Sequence, residues 1–167
     1  MAALRDQYQL EAVSAEAVSH EFGHAIGLSH HGDDSSAYYN GHGSGETSWA
    51  PIMGAGYRRN LTQWSDGKYE TANNSQQNDL QIITNSFNRI HYREDDHLEG
   101  NDDATSLPVA DGWVSGHGII EQNNDYDSFR FEHPGGAVNL QVKPADIGGN
   151  LDAIAVLYDE QGAIIQE

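Results

Sequence analysis

His20, Glu21, His24, Gly27 and His30 stand in the spacing H-E-x-x-H-x-x-G-x-x-H, and these residue types at these intervals can hold and use a metal ion. Histidines four apart on a helix lie about 40° apart around the axis and one turn apart along it, so both imidazoles reach one ion. Gly27 adopts positive φ at little cost, so the chain can leave the helix sharply and bring His30 back as a third ligand. Three protein nitrogens plus one open position is the coordination of a catalytic zinc rather than a structural one. Glu21, beside the first ligand, is placed to take a proton from metal-bound water. A short H-E-x-x-H arises by chance in unrelated helices, but five fixed positions are much harder to reach by accident.

A second signal follows in Ala50-Pro51-Ile52-Met53-Gly54-Ala55-Gly56-Tyr57, where Pro and two Gly supply turn chemistry around one of only two methionines in the chain. Alone, Met53 reads as an ordinary gap-filling core residue. With the histidine motif upstream, the pair resembles the metzincin zinc endopeptidases, which combine a long histidine motif with a Met-turn beneath the ligands. The text around the turn, through Leu61-Thr62-Gln63-Trp64-Ser65, is most similar to bacterial secreted, reprolysin-like metallopeptidases. The resemblance implies zinc on His20, His24 and His30, Glu21 as general base and a protein or peptide substrate lying extended along the cleft. Some branches place a catalytic tyrosine two residues after the methionine. Tyr57 follows Met53 by four and is the residue to which that oxyanion-stabilising role is carried over. The position after the third histidine, which varies between branches, is His31.

The family places a twisted sheet before the zinc helix, and one of its strands pairs with substrate by β-addition. Here the motif starts almost at the N-terminus. The expectation is a fragment, or a gene product begun at an internal methionine, whose parent carries the missing half-domain and a signal peptide. This chain alone is then expected to hydrolyse weakly or not at all.

Composition narrows the setting. There is no cysteine, which removes disulfides and thiolate zinc sites. A formal net charge of −18 excludes a generic nucleic-acid binder, because phosphate would be repelled. No stretch is apolar enough to span a membrane. With the family resemblance, this reads as a secreted, extracellular protein, taken as a monomer.

The elements expected around the site are few. A helix is predicted from Leu10 to Leu28, with Val18, Phe22, Ala25 and Ser29 on the face opposite the ligands and packed. Gly32 to Gly56 reads as a long ordered loop lining the cleft, within which His42 is a candidate substrate contact. A second helix is predicted from Ser75 to His91, with Leu80, Ile83, Phe87 and Ile90 at helical spacing. Histidines 91, 97, 117 and 133 show no ligand spacing and read as surface residues.

Beyond Tyr92 the composition shifts to a charged stretch, and then to residues alternating with period two, as in Phe129 to Phe131 and Val138 to Val142. Short alternating segments separated by turns such as Pro134-Gly135-Gly136 argue for an antiparallel β-sandwich. The Asn101-to-Thr105 opening, the Asp125-to-Phe131 segment and the Leu151-to-Asp159 segment resemble the bacterial pre-peptidase C-terminal (PPC) domain, which implies a jelly-roll-like module. The fold class is thus α+β: a helical metzincin C-terminal subdomain over 1–93, an acidic linker over 94–106 and a partial β-sandwich over 107–167, incomplete at both ends. Asp95, Asp96, Asn101, Asp102 and Asp103 could offer hard oxygen ligands to calcium, with Asp125 and Asp127 nearby in type, although a solvated linker is the simpler account.

Two other functions fit parts of the chain. A gluzincin-like hydrolase would take Glu46 as third ligand in place of His30. A secreted binding or adhesion module would leave the zinc half vestigial, but the base Glu21 is not needed merely to hold metal.

Overall fold

The structure, a computed structural model, describes residues 2–145, 149 and 151–166, with 2–12 described by backbone alone. The chain divides into two units, Met1–His91 and Tyr92–Glu167.

The first unit opens with α1, Ala2–Ala25. Its alanines and glutamates are good helix formers. The helix ends through paired closing bonds: Leu28 N–H donates to Gly23 O at 2.9 Å and Gly27 N–H to His24 O at 3.1 Å. Gly27 takes φ +102°, the left-handed residue that this Schellman termination requires. The helix therefore stops three residues before the predicted end at Leu28.

The predicted packing face of α1 also differs. Val18 and Phe22 are 70% and 47% exposed. The helix packs instead through Gly23, where a Cβ would meet the Met53 sulfur at 2.5 Å and both Leu28 and Trp64 at 3.2 Å. Leu28, Met53 and Ile83 form the buried centre, with Ile26, Trp64, Ile82 and Ile90 against it.

The chain that follows runs as a loop pinned by polar contacts, but the Gly32-to-Gly56 stretch expected to be loop throughout also holds a 3-10 turn and a strand. The Arg59 guanidinium donates to the carbonyls of Asn40, Gly41 and Gly43. A 3-10 turn at Gly45–Thr47 leads into β1, Trp49–Pro51, which pairs in parallel with β2, Leu61–Gln63. The turn that follows β1 closes with Gly54 N–H on Pro51 O.

Only a short α2, Asp79–Ile83, forms where the longer second helix was expected. Asn78 caps its start by accepting from Gln81 N–H. Its end is taken over by side-chain amides: Asn88 Nδ2 donates to Ile82 O and Ile26 O, while Asn85 Oδ1 accepts from the amides of Phe87 and Asn88. These bonds offer the backbone an alternative to the helical ladder. Phe87, which recurs at helical spacing with Leu80, Ile83 and Ile90, is 92% exposed.

The second unit contains β3, Thr105–Ser106, parallel to β4, Phe129–Arg130, and a hairpin of β5, Leu157–Tyr158, with β6, Ile164–Gln166. These short pairs do not build the two faced sheets expected of a sandwich, and Trp113, Leu140, Val142 and Ile154 stay exposed. The stretch 94–106, read as a linker, is bonded into this unit. His97 Nδ1 accepts from the Thr105 hydroxyl and its Nε2–H donates to His117 O, both at 2.8 Å, and its ring packs on Phe129. His97 is thus a tie within the unit rather than the surface residue expected. Among the described residues no helix is long and apolar enough to cross a membrane.

Candidate metal centre

Helix α1 delivers His20 and His24 from successive turns, and the left-handed exit at Gly27 turns the chain so that His30 meets them. The three rings lie with centroids 4.9, 5.2 and 4.7 Å apart, and a nitrogen from each lies within 4.8 Å of the others. Nε2 of His24 is 2.9 Å from Nε2 of His30. Nitrogens bound to one tetrahedral zinc at about 2.0–2.1 Å would be about 3.3 Å apart, so the spacing is near that of a shared ion.

The tautomers follow from the main chain. His20 Nδ1 lies 2.7 Å from Ile52 O, and His24 Nδ1 lies 2.8 Å from Leu28 O. A carbonyl oxygen only accepts, so each Nδ1 carries the proton and each Nε2 presents its lone pair. This is the arrangement in which metal-binding histidines are held, with the second ring nitrogen donating to a fixed acceptor. Burial, together with the His24 and His20 rings, holds His30 below the usual imidazole pKa despite the opposing Glu21 carboxylate, which favours the neutral, ligating form. The donor set fits zinc.

The histidines open into a cleft of about 600 Å³ lined also by Glu21, Tyr38, Gly54, Ala55 and Tyr57. Glu21 and Tyr57, both expected at the site from the sequence, therefore line the same cleft as the three histidines. Met53 is fully buried, and its carbonyl accepts the His31 amide at 2.9 Å. Ile52 and Met53 thus touch the first ligand and the residue after the third.

Compared with protein-family models, curated proteins and solved structures, the chain matches none. The geometry stands by itself.

Two features escaped sequence reasoning. Tyr38 packs its ring 4.1 Å from His30 and shares the cleft, yet it comes from a loop whose spacing follows no period. His31 is fully buried and pairs with Asp79, also fully buried, at 3.0 Å. Nothing local in the sequence links residues 48 positions apart.

Other candidates fall elsewhere. Glu46 sits exposed in the 3-10 turn, outside the histidine group and the cleft lining. His42 bonds to the Tyr39 hydroxyl and packs on Trp49, away from the cleft lining. In the second unit, Asp95 and Asp96 gather with Glu121, and Asp95 with Glu99 and Asp125, whereas Asp102 and Asp103 are exposed and join neither group. Both Glu121 carboxylate oxygens and Asp127 Oδ1 are covered without a hydrogen-bond partner. Burial raises both pKa values, aided at Glu121 by the Asp125 side chain and at Asp127 by the Asp96 charge.

Proposed function

We propose that the first unit carries the zinc centre of a metzincin-like endopeptidase, holding the ion on His20, His24 and His30. The observation that carries this reading is the grouping of one nitrogen from each histidine within 4.8 Å of the others, with Nδ1 of His20 and His24 engaged by main-chain carbonyls so that Nε2 is left to bind, in a cleft that Glu21 also lines. Bound zinc would supply a Lewis acid for the scissile carbonyl and acidify water at its open position.

The rest is the work of this chain's residues. The Glu21 carboxylate accepts the proton of the attacking water and returns it to the leaving nitrogen, as a general base and then acid. Tyr57, on the cleft wall, donates its hydroxyl to the developing oxyanion. Burial first, and then the His24 and His20 rings, favour the neutral form of His30. Glu46, outside the histidine group, does not serve as ligand in this reading. Export from the cell belongs to the same proposal.

The test pairs binding with hydrolysis. Zinc should bind stoichiometrically to the chain and to Glu21→Gln, and should be lost from His24→Ala. Any chelator-sensitive peptide cleavage should fall about 10²–10⁴-fold in Glu21→Gln. Zinc binding that survives loss of His24, or cleavage that survives loss of Glu21, would sink the assignment.

A further inference from the structure

His30 lies beyond the end of α1, so helix geometry places only two of the three ligands. Holding a residue's backbone in a single conformation costs conformational entropy, and the third ligand needs something else to hold it. Beside main-chain bonds of His31 to Met53 and Tyr39 and of Gly32 to Asn73, the main chain of residues 29–32 is gripped by side chains from far along the sequence. Gln77 Oε1 accepts from Ser29 N–H at 3.0 Å and its Nε2 donates to Ser29 O at 2.9 Å. Asn74 Nδ2 donates to the carbonyl of His30 itself at 3.1 Å. Asn73 Oδ1 accepts from Gly32 N–H at 3.0 Å, and the Tyr69 hydroxyl donates to Gly32 O at 2.6 Å.

The bracket is itself fixed. Gln77 Nε2 also donates to Asp79 Oδ1 at 2.8 Å, the same oxygen that meets His31 Nε2. Asp79 Oδ2 accepts from Ser65 N–H at 2.9 Å. Gln77 and Asp79 are buried, and hydrogen bonds are electrostatically stronger in such a low-dielectric interior than in water.

We propose that the segment from Tyr69 to Asp79 is the positioning device of the third metal ligand, with Gln77 and Asn74 as its working residues. This rests on the zinc reading above. Gln77 can act as it does because a carboxamide offers an acceptor and a donor to the N–H and C=O of one residue at once. A glutamate of the same shape keeps the acceptor, loses both donor bonds and sets a second carboxylate against Asp79. Asn74 makes the milder case, since its amide contributes one bond to the His30 carbonyl.

The experiment measures zinc affinity by competition with a chromophoric chelator, and the visible spectrum of the cobalt(II)-substituted protein, for wild type, His30→Ala, Gln77→Glu and Asn74→Ala. Both positioning variants are expected to bind zinc about 10–100-fold more weakly than wild type. Their cobalt spectra should move toward that of His30→Ala. In the His30→Ala background, Asn74→Ala should cost nothing further, an outcome that a merely stabilising amide would not produce. If Gln77→Glu fails to fold, the Asn74→Ala cycle still decides. Wild-type affinity and an unchanged cobalt spectrum in Asn74→Ala and Gln77→Glu would overturn the positioning role while leaving the zinc site standing. A wild-type protein that binds no zinc would overturn both.

Discussion

His20 Nδ1 lies 2.7 Å from the carbonyl oxygen of Ile52, which ties the first ligand on α1 to the turn that carries Met53. The two elements are also packed together one helical turn further on, at Gly23. Replacing Gly23 by Ala would raise helix propensity by roughly 0.5–1 kcal/mol. The new methyl would meet the Met53 sulfur at 2.5 Å, however, and overpacking typically costs about 1–3 kcal/mol. Gly23→Ala is therefore expected to destabilise the protein, and Met53→Ala to relieve part of that loss, measured by denaturant unfolding. Equal or greater stability of the single variant would refute the close packing.

Tyr57 and Tyr38 both face the cleft but stand in different relations to it. Tyr57→Phe is expected to lower kcat about 10²-fold with little change in KM, because it removes a hydroxyl and almost no packing. Tyr38→Phe keeps the ring against His30 and should leave kcat near that of wild type. Reversal of the two phenotypes in a peptide-cleavage assay would transfer the oxyanion role to Tyr38.

Asn78 is the start signal of α2, and Asn78→Ala is expected to cost about 1 kcal/mol of stability by removing the cap on Gln81 N–H. The measurement is the urea midpoint at unchanged slope. Asp79, the first residue of α2, makes the bonds to Ser65 and His31, so loosening this helix end should also weaken zinc binding.

In the second unit the pH dependence has a definite sign. Glu121 and Asp127 have carboxyl pKa values raised by burial, so the folded state binds their protons more tightly than the unfolded state does. Their contribution is fully present below the ordinary carboxylate pKa and is lost as pH rises through the raised values. Amide hydrogen exchange at Ile119 and Glu121 should accordingly quicken as pH rises through that window, after correction for intrinsic exchange. Glu121→Gln should flatten the trend, and an unchanged trend would place its cause elsewhere.

The ligands were legible because their geometry is local: a helix repeats every 3.6 residues, and the glycine that ends it is three residues from the last helical ligand. Helical spacing misled where side chains compete with the backbone. Leu80, Ile83, Phe87 and Ile90 keep helical intervals, but Asn85 and Asn88 satisfy the carbonyls and amides that a longer α2 would have used. The bracket around residues 29–32 left no trace, since an amide that reaches across 41 or 48 positions has no period to read. Alternation between residues 128 and 142 likewise records which residues could face a sheet, not that a partner sheet covers them.

The acceptors behind His20 and His24 are peptide oxygens of Ile52 and Leu28, and no point substitution deletes a peptide oxygen. Whereas Leu28 is constrained by its place in the buried core rather than by its bond to His24, the metal centre should therefore tolerate broad mutation of the partly buried Ile52 side chain. Its vulnerability lies in whatever moves the backbone, above all at Gly27, whose left-handed φ of +102° admits other residues only under strain. In a saturation scan scored on metal retention, intolerance should concentrate at the three imidazoles, at this glycine and at the core residues, and Ile52, which supplies the oxygen behind His20, should scarcely register.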